Sequence, residues 1–143
     1  MYKNILYATD LRENNYEMGK QVVAIANCFH AKLYLLHVIE PPATLQLAQG
    51  LGFAEFDKPI KDDAQAVMRV LGEALNIPPE QQFIEVGSIK MHVLKKVTEL
   101  TCDLIIVGSH TPSALPSFLG STAHAVVHHA PCDVLTLRMS SHS

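Results

Sequence analysis

Residues 103–110, Asp-Leu-Ile-Ile-Val-Gly-Ser-His, carry an apolar run into a glycine-led turn, and a second such turn, Gly120-Ser121-Thr122, opens an amphipathic stretch. These residue types at a strand end and a helix start suit an anion. Unpaired backbone N–H groups and the positive end of the helix dipole, roughly half an elementary charge, would face whatever lies over Gly120 and Ser121. Ser109, His110, Ser121 and Thr122 add hydroxyls, a ring nitrogen and main-chain donors suited to phosphate oxygens. Ser121 also reads as N-cap of a helix reaching about residue 130, a role compatible with ligand contact.

The same region argues against efficient phosphoryl transfer. Between Lys96 and Arg138 there is no lysine or arginine, so the proposed phosphate loop has no cation of its own to stabilise charge on a transferred group. A glycine-rich loop ending in Gly-Lys-Ser/Thr is absent, as are a Gly-x-Ser-x-Gly elbow and a paired-carboxylate signature. No catalytic residue is assigned, and nucleotide hydrolysis is expected to be slow at most.

His124, His128 and His129 invite a metal reading, since side chains four apart on a helix can share an ion. The apolar stripe Ala123, Val126, Val127 and Ala130 turns them to the flank, and no carboxylate or cysteine stands at ligand spacing, so no metal site is expected. His30 and His37 read as structural. Cys28, Cys102 and Cys132 lack the spacings of zinc or redox pairs and read as buried reduced thiols. Asp133 reads as a strand-start contact.

The elements that position these residues follow from hydrophobic period. Segments 3–9, 32–38, 82–86, 103–107 and 132–138 are short Ile, Val and Leu runs that predict five strands. Between them, four amphipathic helices are predicted from Met18, Val22, Ile25, Ala26 and Phe29; from Ala64, Val67, Met68, Leu71, Ala74 and Leu75; from Val93, Val97 and Leu100; and from Ala123, Val126, Val127 and Ala130. Asn14 with Glu17 suits a capping box, Ser88 suits a cap, and Pro78, Pro79 and Pro131 fall just past helix ends. Strict alternation with strands apolar throughout implies a parallel sheet covered on both faces. Ligands in such sheets sit beyond the carboxyl ends of the strands where strand order reverses, which directs attention to residues 8–10, 38–40 and 107–122. The connection 40–58 reads as either a lid or a surface loop.

With 143 residues, 48% hydrophobic and 17% charged, the chain suits one domain, 1–143, burying about two thirds of its unfolded surface. A formal charge of −3 gives no electrostatic reason for a nucleic-acid partner. No apolar run approaches the ~20 residues that cross a bilayer, and residues 1–7 lack signal-peptide features, so no membrane association and a cytoplasmic location are expected.

Together, residues 5–10 (Ile-Leu-Tyr-Ala-Thr-Asp), 35–38 (Leu-Leu-His-Val), 103–110, 120–122 and 131–135 (Pro-Cys-Asp-Val-Leu) resemble the universal stress protein family over nearly the full length. The resemblance implies a Rossmann-like, doubly wound five-stranded parallel sheet in the order 3-2-1-4-5 and a homodimer paired through the last strands at Cys132, Val134, Leu135 and Leu137. In one branch it implies ATP, accompanied by magnesium, above the strand ends. The nucleotide site so implied comprises Ala8, Thr9, Asp10, Val38, Val107, Gly108, Ser109, His110, Gly120, Ser121 and Thr122. Ala8, Asp10 and Val38 would hold adenine and ribose; Asp10 reads equally as a cap for the next turn. That branch's motif is Gly, two residues, Gly, nine residues, then Gly with Ser or Thr. Here Thr111 replaces the middle glycine and the interval to Gly120 is eight residues. A β-branched residue resists positive φ, and Pro112 removes an N–H donor. The alternative is a nucleotide-free interaction protein that meets client proteins through its dimer surface and the 40–58 loop.

Overall fold

The computed structural model describes residues 1–11, 15–41, 47, 57–109 and 121–138. The elements run β1 (Asn4–Ala8), α1 (Asn15–Phe29), β2 (Lys32–Ile39), α2 (Asp57–Leu75), a 3-10 turn (Pro79–Gln81), β3 (Gln82–Val86), α3 (Ile89–Glu99), β4 (Leu104–Ser109), α4 (Ser121–His129) and β5 (Asp133–Arg138). All strand pairs are parallel and the order is β3-β2-β1-β4-β5, as the resemblance implied.

Successive strand residues point to opposite faces, so two cores form. Ile5, Tyr7, Leu33, Leu35, Leu104 and Ile106 pack against Met18, Val22 and Ala26 of α1 and Met68, Leu71 and Leu75 of α2. Leu6, Leu36, Val38, Ile105 and Val107 pack against Val93 and Val97 of α3 and Ala123 and Val126 of α4. The sheet is therefore doubly wound, and each fully buried aliphatic side chain contributes about 1.5–3 kcal/mol.

Three helices end alike. His30, Asn76 and Thr101 adopt left-handed φ values of 55°, 59° and 52°. The next amide reaches back across each helix end: Ala31 N to Ala26 O (2.9 Å), Ile77 N to Gly72 O (2.8 Å) and Cys102 N to Val97 O (2.9 Å). These are Schellman ends that satisfy orphan carbonyls and redirect the chain. Ser88 caps α3 as expected, its hydroxyl accepting from Met91 N at 3.3 Å.

Some expectations are corrected. Val67 and Ala74 are exposed, because the buried stripe of α2 runs Met68, Leu71, Leu75 and these two lie one position to its side. Val127 is likewise exposed beside buried Val126. Cys28 is exposed on the outer face of α1, Cys132 is half-buried and only Cys102 is fully buried. Ser121 is the first residue of α4 rather than the residue before it. Asn14, His110, Thr111, Pro112, Gly120 and most of the 40–58 connection lie outside the described residues.

At the amino ends of the strands, the Asp103 carboxylate accepts from Lys3 N (2.9 Å) and Asn4 N (3.2 Å). Tyr2 Oη donates to Asp133 Oδ2 at 2.7 Å. Asp133 is thus the strand-start contact the sequence suggested.

Candidate functional site

The carboxyl ends of β1 and β4 part company at one pair. Ala8 pairs with Leu36 on one side and Val107 on the other, and Ala8 with Val107 is the last rung between β1 and β4. Beyond it β4 continues only along β5, with Gly108 opposite Leu137 and Ser109 opposite Arg138. Chain order reverses here, since β1 leads outward through α1 to β2 whereas β4 leads through α4 to β5. This is the switch point at which open sheets form a crevice.

The β1 side of the crevice is tightly fixed. Thr9 is buried, its amide extends the ladder to Leu36 O (2.9 Å), and its Oγ1 accepts from Leu11 N at 3.1 Å. That local bond closes a turn in which Leu11 takes a φ of 57°. From β2, His37 Nδ1 lies 2.8 Å from Thr9 O. A carbonyl only accepts, so the ring proton sits on Nδ1. Asp10, one residue on, is exposed. Beneath them Tyr7 is buried, and burial, with a smaller contribution from the Asp10 charge, pushes its hydroxyl pKa up to about 12 against the lowering hydrogen bond from Thr9.

Val38 and Val107 are buried near the carboxyl ends of their strands, packed in the core under α3 and α4. Glu40 is held in a structural contact, its Oε2 accepting from Ile89 N at 3.2 Å, which places a carboxylate on the amino end of α3. Gly87 N donates to Ile39 O (2.8 Å), tying the β3–α3 turn to the end of β2.

Gly108 is exposed, yet a Cβ there would fall 2.7 Å from Met18 Sδ. Glycine at this position therefore leaves room for the end of the Met18 side chain, a packing role independent of any ligand. Ser109 ends β4, and Ser121 and Thr122 form the first turn of α4, the helix whose amino end the sequence assigned to an anion.

Sequence reasoning missed Arg138. It stands opposite Ser109 in the strand register, and alternation along β5 puts it on the sheet face that carries α3 and α4. Arg138 thus places a cation on the strand next to β4, one strand away from the crevice. The apolar runs obscure this signal, because they end at Val107 and Arg138 and so leave Ser109 beyond its strand and Arg138 without a neighbour. Lys96, the last cation before the loop, is committed elsewhere: Nζ lies 3.3 Å from Glu85 and 3.1 Å from Glu99, over the Phe83 ring.

An open parallel sheet wound on both faces, with a crevice where β1 and β4 diverge, defines a doubly wound α/β domain. The chain belongs to the universal stress protein family, whose family model matches residues 1–138. It is 34% identical to universal stress protein A homolog 2 of Coxiella burnetii, over 96% of both chains. It is 30% identical to universal stress protein G of Escherichia coli O157:H7, over 96% of this chain and all of that one. Among solved structures, the hypothetical protein MJ0577 superposes with a TM-score of 0.78 at 26% identity, covering 99% of each chain. A universal stress protein in complex with cAMP superposes with a TM-score of 0.69 at 18% identity, over 97% of this chain and 98% of that one, a likeness of fold. Among the described residues, no helix is long and apolar enough to cross a membrane.

Proposed function

We propose that the chain is a cytoplasmic, homodimeric stress-response protein that binds ATP or a related adenine nucleotide as a regulatory ligand. The observation that carries this reading is the divergence of β1 and β4 beyond Ala8 and Val107, with buried Val38 and Val107 near the strand ends and exposed Asp10 and Gly108 at the rim. The donor set fits the ligand in parts: apolar side chains near the strand ends for adenine, the Asp10 carboxylate for ribose hydroxyls, and the start of α4 with Arg138 for phosphates, with magnesium held by the phosphate oxygens themselves. The solved relative in complex with cAMP supports an adenine nucleotide as the class. Calorimetry with ATP and magnesium tests it: a saturable heat that weakens in Asp10→Ala is expected, and absence of heat at millimolar nucleotide overturns it. Turnover of ATP is expected to remain near background.

One observation favours the nucleotide-free reading, in which the dimer surface and the 40–58 segment contact client proteins. Gly108, Thr9 and Glu40 each already serve the fold, through Met18, Leu11 with His37, and Ile89. Calorimetry separates the two. Dimerisation is proposed through β5, a sheet edge with Val134, Leu135 and Leu137 half-buried. An edge strand left uncovered is a pairing hazard, and a two-fold partner covers it symmetrically. Light scattering at micromolar concentration is expected to give twice the 15.7 kDa chain mass.

A further inference from the structure

The outer face of α4 carries a side-chain pair that neither the fold nor the crevice uses. His124 and His128 are both exposed, one helical turn apart, with ring centroids 4.7 Å apart and planes at 85°. Neighbouring Val126 and Ala123 hold the opposite face in the core, so the helix cannot rotate to bury the pair. Among the described residues no three or more His, Cys, Asp or Glu side chains converge on one point, so a closed protein-ligated centre is not what this face offers. The lack of a carboxylate or cysteine beside these histidines argues against a metal from the sequence, but the structure shows two exposed imidazoles side by side at a separation one ion can bridge.

We propose that His124 and His128 form a two-arm chelate for a divalent transition-metal ion of the nickel, copper or zinc kind, with water completing the coordination. Imidazole nitrogen suits these ions over magnesium or calcium, which prefer oxygen. Residues i and i+4 lie on one helix face, so a modest turn of each ring brings its free nitrogens toward a shared point. Two further features favour a cation here. His128 lies in the last turn of α4, near the negative end of the helix dipole. From residue 97 to residue 137 the chain carries no lysine or arginine, so no cationic side chain of this segment repels the ion. His129 is adjacent, with its ring 6.0 Å from that of His128, but it leaves the helix about 100° further round and falls outside the chelate. Magnesium would enter the crevice with the nucleotide and uses none of these residues.

The test uses untagged full-length protein without nucleotide, in a Cys28→Ser background so that the exposed thiol does not compete. Nickel or zinc chloride is titrated by calorimetry, and imidazole resonances are followed by NMR. A saturable single-site isotherm is expected, with the His124 and His128 resonances moving together while those of His30, His37 and His92 stay fixed. Because a chelate loses its effective-concentration advantage with one arm, His124→Ala and His128→Ala should each weaken binding about a hundredfold, while His129→Ala leaves it unchanged. Absence of saturable binding overturns the proposal. So does binding indifferent to His124→Ala and His128→Ala, or binding lost equally in His129→Ala. Circular dichroism of each variant confirms that α4 remains folded.

Discussion

The His37 ring donates from Nδ1 to the carbonyl of Thr9 at 2.8 Å, joining the end of β2 to the first residue after β1. The bond crosses between neighbouring strands at the point where β1 turns away, so it sets the level at which Thr9 and Asp10 leave the sheet. His37→Leu removes this donor from the Thr9 carbonyl. It is expected to lower stability by about 1–2 kcal/mol in urea titration, and His37→Asn, whose amide can donate, to recover part of the loss. Equal stability of the leucine variant and the parent would assign the ring no such role.

Gly108 is expected to resist substitution for a packing reason. In Gly108→Ala the added methyl would sit 2.7 Å from Met18 Sδ, and the thioether must move within a buried site. A cost of about 1–2 kcal/mol follows, and it should shrink markedly in a Met18→Ala background, where that sulfur is gone. A cost unchanged by Met18→Ala would point to the backbone instead.

Thr101 places a β-branched residue in the left-handed region at φ 52°, in the cap that ends α3. Thr101→Gly is expected to raise stability by about 0.5–1 kcal/mol, because relief of strain exceeds the entropy added to the unfolded chain. Asn76 occupies the same position after α2, but asparagine tolerates this conformation, so Asn76→Gly should gain less. Thermal melts of both variants check the ranking.

Alkali should lower stability in two overlapping steps. Burial pushes the Cys102 thiol from 9.0 to about 12 and the Tyr7 hydroxyl from 10.0 to about 12. Both folded-state values are raised, so the folded chain keeps protons that the unfolded chain releases. Stability is complete below pH 9 and falls as pH climbs toward 12, by at most about 1.4 kcal/mol per pH unit for each group. Urea titrations across pH 8–11 should show Cys102→Ala flattening the fall from pH 9, and Tyr7→Phe flattening it only above pH 10.

The fold was legible because its signals are collective. Largely apolar runs within 32–38 and 103–107 point to a sheet covered on both faces, and the helical spacing of Met68, Leu71 and Leu75 points to a covering helix. What escaped depends on position rather than type. His30, Asn76 and Thr101 carry helix ends without the glycine that usually marks them, so no residue type announced the caps. Cys28 is a hydrophobe by type but faces outward by helical phase. Ala8 closes β1 and Val38 lies one residue from the end of β2 as spacing suggested, whereas β4 runs past Val107 to Ser109, and the Arg138 neighbour to Ser109 depends on strand register, which follows from three-dimensional pairing.

That register carries the last prediction. Arg138 stands opposite Ser109 on the face of the sheet that bears α4, and a guanidinium there can pair with phosphate oxygens by two parallel N–H bonds. Under the nucleotide reading, its contribution should scale with ligand charge. Arg138→Gln is expected to weaken ATP binding by about tenfold, consistent with loss of a charge-assisted hydrogen bond of about 1.5–3 kcal/mol partly replaced by the amide, while adenosine binding stays unchanged. Because Arg138 ends the strand proposed to pair in the dimer, light scattering and a thermal melt of the variant check that a binding loss reports contact rather than a changed assembly. Equal losses for ATP and adenosine would assign Arg138 to the shape of the crevice, and no loss for either would place the phosphates away from β5.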